Sequence, residues 1–461
     1  MYLSFAVKIV LVFSVFISST FLFYIAAETL NPARINIINI TYYSYMVFSF
    51  IGASLVFLGF RQHYLISKVS SEEVYLEGFI YISLLGILFP SVVILVKEIW
   101  KKLIGVGYTD TFDSYLKLPV VSDENKTVVV IMLVFFLILS SLAVLIFFIN
   151  AKQIPFVGWL SEENMSVSRQ DLTHNPDYLN PYIKSFVMLQ IPVNLSFFVY
   201  IKMRTSEFNI WKILFAFYFF LSVVVKTYNY EKAPLVLYLF SFFVIEVVLG
   251  KVNNIAKPLL MVCLGVGIIF AMYYFSFEKN LSFLQINKGP ISRIIFTQVA
   301  GFYLTLDFFP SKIGYLLGES LPTFITNFLG INNSWNRSSR LLMEKINPSG
   351  VKEGSAGVIN TIFMGEAYAN WGLPGLLFSI LYVAILFSIA FCLFKRCKKN
   401  TVNLFLYIIV FNFLTGAFQG GFVEYIFSSS IIFAIITFLG IKYIIYYNND
   451  NNLLLYRRSK L

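Results

Sequence analysis

Apolar residues along this chain come in runs of about 20, set apart by short polar connections, which is the length a membrane-spanning helix requires. The pattern predicts about eleven spans: 5–27, 42–60, 75–96, 128–149, 185–201, 210–225, 233–249, 258–277, 374–394, 402–418 and 425–446. The end of the first run, Ala26-Ala27-Glu28, resembles a signal cleavage site. The run is too long for a signal segment and lacks a basic leader, so it reads as a retained helix. Pro90 and Pro192 fall inside spans, where neighbouring helices can satisfy a freed carbonyl. No fixed repeat is present, which excludes a solenoid.

Composition agrees with the pattern. The 461 residues are 58% hydrophobic and 13% charged, whereas a soluble domain carries about 25% charged residues. A net charge of +11 fits basic cytoplasmic loops and not a nucleic-acid binder. Lys395, Arg396, Lys398 and Lys399 form the densest basic cluster and mark a cytoplasmic loop. The tail with Arg457, Arg458 and Lys460 falls on the same side. Counting backwards places 278–373 and 150–183 outside, and Lys202, Arg204, Lys251 and Lys257 inside. The same count puts Met1, Lys226 and Lys232 outside. The loop 98–127 has mixed charge and reads as cytoplasmic. The fold class is therefore all-α and polytopic, with about 11–12 transmembrane helices. Three parts follow: N-terminal spans over 1–277, a large outer loop over 278–373, and C-terminal spans over 374–461.

Metal and redox chemistry find little material. Cys263, Cys392 and Cys397 form no C-x-x-C pair, and His63 and His174 are the only histidines. Polar chemistry gathers between Lys288 and Gly375 instead. Over 290–310, Arg293, Thr297, Gly301 and Thr305 recur every four residues and share one face of a helix, with Pro290 opening it and Pro310 closing it. Two readings stand. The helix lies on the membrane surface with Arg293 reaching lipid phosphate, or its stripe borders a cavity where Arg293 binds an anionic group. Arg337 and Arg340, three apart, are either a solvated polar turn or a second half of a phosphate clamp. A helix is expected over 358–371, ended by Gly372 and followed by Pro374 in the first turn of the next span. Within it Glu366 and Asn370 share a face. A carboxyl among Phe363, Met364, Ala367 and Trp371 is expensive to bury. It is either paired with an arginine or serves as a general base. His174, in a proline-bracketed outer loop, is surface decoration or a second base.

Taken together, Gly289-Pro-Ile-Ser-Arg293, Gln298, Gly301-Phe-Tyr303, then Glu353-Gly-Ser-Ala-Gly-Val-Ile-Asn360 and Gly365-Glu-Ala-Tyr-Ala-Asn-Trp-Gly-Leu-Pro-Gly375 resemble the Wzy-type O-antigen and capsule repeat-unit polymerases. The likeness covers about 90 residues; elsewhere only the hydropathy agrees. It implies a bacterial inner-membrane glycosyltransferase with a glycosyltransferase-C-like bundle and large periplasmic loops. Such an enzyme joins oligosaccharide repeat units carried on undecaprenyl diphosphate, using neither metal nor cofactor. Its partners would be that lipid-linked oligosaccharide, membrane lipids and a chain-length-regulating membrane protein, with no nucleic acid. On residue type, Glu366, Arg293 and His174 are the expected catalytic groups. Arg337, Arg340, Gln298, Tyr303, Tyr368 and Asn370 are expected on substrate. A flippase for the same lipid and an O-antigen ligase are the rival readings.

Overall fold

The computed structural model describes residues 4–105, 111–121, 126–151, 165–229, 231, 233–252, 254–260, 263–265, 267, 287, 289–331 and 337–458; side chains of 165–167, 290 and 445–458 are left aside. Among the described residues eight helices are long and apolar enough to cross a membrane. In chain order the elements are α1 (Phe5–Ala27), α2 (Ile37–Phe57), α3 (Glu72–Ile104), α4 (Phe112–Lys117), α5 (Lys126–Ala151), α6 (Met165–His174), α7 (Ile183–Thr205) and α8 (Asn209–Thr227). There follow α9 (Ala233–Val248), α10 (Pro290–Phe308), α11 (Thr323–Leu329), α12 (Ser338–Ile346), α13 (Pro348–Lys352), α14 (Phe363–Arg396), α15 (Thr401–Ala417), α16 (Phe422–Ile426) and α17 (Ser429–Arg458).

Ten of the eleven expected spans have a helix in place, although α9 and α15 fall just short of full spanning length. The expected span 258–277 lies largely outside the described residues, with helix described at 256–260, 263–265 and 267. Local chemistry sets several ends. Ser4 accepts from Val7 N to open α1. Asn36 and Asn39 cap α2 reciprocally, satisfying donors that no turn precedes. Close packing follows from small residues. Gly78 of α3 lies against the Tyr303 ring and Gly86 against the Tyr45 hydroxyl, places where a Cβ would overlap.

Contacts between helix ends sort them onto two faces. On one face Arg61 pairs with Glu72, Lys68 reaches Ile346 O, Gln170 reaches Ala356 O, and Arg337 pairs with Glu366. On the other, Glu28 receives both Lys97 and Lys395, Arg34 pairs with Asp113, Lys399 donates to Leu116 O, and Arg204 pairs with Glu246. Ser4 opens α1 at the first face, since Lys8 lies over the Phe57 ring at the end of α2. The loop read as cytoplasmic belongs to the second face: α4 packs Phe112 on Phe391 and Tyr115 on Phe394.

The surface reading of 290–310 does not hold. Beyond its exposed first turn, with Arg293 and Ile294, helix α10 is enclosed by protein. Phe296 packs on Phe60 and His63, Ile295 lies against Gly52, and Tyr303 is fully buried. Asp307 accepts from Ser70 Oγ at 2.9 Å and Ser71 N at 3.0 Å and pairs with Lys312. Burial alone would push its carboxyl up; the bonds from Lys312, Ser70 and the 70–71 backbone outweigh that and hold it below the usual range. The later half of the polar stripe is internal too: Thr305 is buried and bonds to Gly301 O, while Gly301 itself packs on the Asn360 carbonyl. All these partners belong to the first face, so α10 is a short helix wedged among the span ends there. His63, buried beneath it, is pushed down to about 4 by loss of solvent.

Candidate functional site

Helix α14 is broken. Trp371 and Gly372 leave helical geometry, and Gly372 has φ of 63°, a left-handed value that glycine adopts at little cost. The break is a reversal. A Cβ on Gly375 would overlap Ala367 O, eight residues earlier, whereas eight residues of straight helix span about 12 Å. Phe363, at the start of the first arm, and Phe387, deep in the second, both pack on Tyr425. The residues 363–370 therefore rise from within the bundle towards the first face, and 373–396 run back past them to the other face. The expected boundary at 373 coincides with this turn inside one folded-back element. The sequence placed Gly372 as a helix end and Pro374 as the next beginning, which matches the turn; the reversal of direction was not expected.

A second break faces the first. Helix α15 ends at Ala417 inside the bundle, where Phe418 meets Phe89 midway along α3, and α17 begins only at Ser429. Gly420 and Gly421 lie in this break, and α16 follows.

Glu366 sits where the two breaks meet. Its Oε1 accepts from Arg337 Nη1 at 3.1 Å and its Oε2 from Val423 N at 3.0 Å. The carboxyl side chain is 4% exposed and that of Arg337 33% exposed, so the guanidinium reaches down from the surface to the buried acid. Gly421 lines the pocket, for a Cβ there would overlap Glu366 Oε2 and crowd Arg337. Glu424 lies within electrostatic reach of both Arg337 and Glu366. One guanidinium thus serves two carboxylates.

Asn370, one turn along, ties the site to the chain before it. Its amide donates to Ser320 Oγ and Glu366 O at 2.8 Å each and accepts from Gly318 N at 3.0 Å. Leu316 N and Leu317 N bond to Ala369 O and Asn370 O. With its hydrogen-bonding groups so used, Asn370 positions the first arm.

The other expected site residues are spread over the same face. Arg293 is exposed in the first turn of α10, two turns before Gly301. Gln298 keeps a buried Oε1 that no protein group satisfies among the described residues. Tyr303 fills the space left by Gly78 and has the surroundings of a packing residue. Arg340 turns to Glu344 on its own helix, at 3.2 Å, and not to Glu366. His174 is exposed at the end of α6, a turn beyond Gln170, which touches the 353–358 segment. Residues 332–336, preceding Arg337, lie outside the described residues. Tyr368 packs beside Tyr81 and Tyr315. Among the described residues no group of three His, Cys, Asp or Glu could hold a metal ion.

Sequence reasoning missed Val423, Gly421 and Glu424. The signal was present as Gly420-Gly421-Phe422-Val423-Glu424 inside an apolar stretch, two helix-weakening residues followed by an acid.

Comparison of the chain with known protein families, characterised proteins and solved structures yields no match. The fold and site define an all-helical, multi-pass membrane protein with a buried acid–arginine pair held between two interrupted helices.

Proposed function

We propose that this chain is a glycosyltransferase of the Wzy polymerase type with a glycosyltransferase-C-like bundle. It would join oligosaccharide units carried on undecaprenyl diphosphate at the periplasmic face of a bacterial inner membrane. The observation that carries the reading is the Glu366–Arg337 pair, a buried base candidate whose one charged tether among the described residues is a part-exposed arginine. The leaving diphosphate competes with Glu366 for the guanidinium, whose planar fork matches phosphate oxygens. As Arg337 turns to the diphosphate, Glu366 keeps Val423 N but loses its counter-charge. It then accepts the proton of the attacking hydroxyl. That oxygen bonds to the anomeric carbon of the growing chain, the carbon–oxygen bond to diphosphate breaks, and undecaprenyl diphosphate departs carrying the electron pair. Charge stabilisation at the diphosphate falls to Arg337, with Arg293 and Arg340 nearest in kind.

Orientation draws on charge. The second face gathers Lys101, Lys102, Lys117, Arg204, Arg396 and Lys398 in its connections, which by the positive-inside rule is the cytoplasmic pattern. The Glu366 face then looks to the periplasm.

A second reading has one observation in its favour. Two interrupted helices meeting around a charged pair are also how transporters build a substrate site. One experiment separates the readings. Purified protein is mixed with a single lipid-linked repeat unit and the products are run on a gel. A ladder supports the polymerase. Transfer only to a lipid A acceptor supports a ligase. Movement across vesicles without any new linkage supports a transporter and removes the polymerase.

A further inference from the structure

Three tyrosines from separate segments meet on the side of α14 turned away from Glu366. Tyr368 is two residues from Glu366, about 200° round a helix, and so looks towards α3. Its ring centre lies 6.2 Å from that of Tyr81 on α3 and 6.2 Å from that of Tyr315 in the connection after α10. The Tyr315 and Tyr368 hydroxyls lie within electrostatic reach of each other, and Glu77 is within reach of Tyr81 and Tyr368. Glu73, Glu77 and Tyr81 stand four apart on one stripe of α3. No ion pair among the described residues includes Glu77, which is exposed. Tyr315 is 37% exposed, and its hydroxyl reaches the Gly372 turn.

Packing accounts for tyrosines such as Tyr218, whose hydroxyl is spent on the Leu133 carbonyl. It does not account for phenols gathered near an exposed carboxylate that has no cation partner among the described residues. Phenol and carboxylate together offer the donors and acceptors that sugar hydroxyls match. The part-exposed rings of Tyr315 and Tyr81 offer flat apolar faces to the C–H side of a pyranose, with the buried Tyr368 ring backing them. The carboxylate repels a diphosphate. The chemistry suits uncharged sugar residues and no lipid headgroup phosphate.

We propose that Tyr81, Tyr315, Tyr368 and Glu77 form a second saccharide-binding site, one helix width from Glu366, that holds the chain away from its reacting end. Its role in elongation rests on the polymerase reading; the binding itself does not.

The test uses the full-length protein in detergent. The probe is lipid-free oligosaccharide released by mild acid from the producing organism's surface polysaccharide, titrated by calorimetry. Wild type and Glu366→Gln are expected to bind alike. Tyr315→Ala, Tyr81→Ala and Glu77→Gln should each bind at least tenfold more weakly, and Tyr315→Phe several-fold more weakly if the alanine variant fails to fold. In the ladder assay Glu77→Gln should form the first linkage at the wild-type rate and give shorter chains. Wild-type affinity in both Tyr315→Phe and Glu77→Gln, or no binding by wild type, overturns the site. Saccharide binding lost in those variants without any ladder from wild type leaves the site standing and removes the polymerase. A full-length ladder from wild type, with wild-type affinity in both Tyr315→Phe and Glu77→Gln, does the reverse.

Discussion

Glu366 and Val423 are joined by a backbone hydrogen bond of 3.0 Å that spans two interrupted helices. With Arg337 on the other carboxylate oxygen, the acid has one fixed partner and one that can leave.

Removing the partner that can leave should be costly twice over. Arg337→Ala is expected to lower product formation by about 10²–10³-fold, the size of loss seen when a charge-stabilising donor is deleted. It should also destabilise the protein by about 3–5 kcal/mol, because a buried charge is left unpaired. Adding Glu366→Gln should recover much of that stability and none of the activity. Thermal unfolding in detergent beside the ladder assay reads both effects.

Gly421→Ala places a methyl group where Glu366 Oε2 and Arg337 Nη1 now lie. Activity should vanish while the protein still reaches the membrane. Gly416→Ala, with nothing within 4 Å of the added carbon, is the matched control and should leave both unchanged.

Tyr303 distinguishes filling from binding. Among the described residues its hydroxyl makes only a 3.5 Å contact to Tyr75 O. Tyr303→Phe should therefore keep stability and turnover close to wild type. Tyr303→Ala should cost about 3–5 kcal/mol through the void left on Gly78. A turnover defect in the phenylalanine variant with normal stability would give the hydroxyl a role on substrate.

Arg293→Ala should remove long-chain product and leave insertion intact, since the side chain is exposed in the first turn of α10. Unaltered chain length would make Arg293 scaffold.

His63 gives a pH signature. Its folded value of about 4 lies below the ordinary 6.5, so the folded state rejects a proton that the unfolded chain accepts. Stability is full above pH 6.5 and declines as pH falls towards about 4. Asp307, held low, adds its own loss only further down, as pH falls through its depressed value below 3.8. Melting temperature against pH should show the first decline in wild type and lose it in His63→Phe.

The spans were legible because a run of 20 apolar residues has few other uses. The break at Gly372 was legible for the same local reason, glycine and proline at matched offsets. Helix α10 was not: one arginine and a stripe of small polar residues suit a membrane surface and a buried wedge alike. What decides between them is the room opened by Gly52 and Gly78 some 200 residues away. The pairing of Glu366 with an arginine stood among the readings of the sequence. Its second bond did not, because a main-chain donor at Val423 carries no signature in residue type.

The fold-back of α14 also bears on biogenesis. Val423 leaves the ribosome 57 residues after Glu366. Until then the acid stands at the translocon without its main-chain donor, a poor guest in hydrocarbon. Pocket closure therefore waits on a segment made well after the acid itself, and nascent chains severed before that point should be cleared by quality-control proteases.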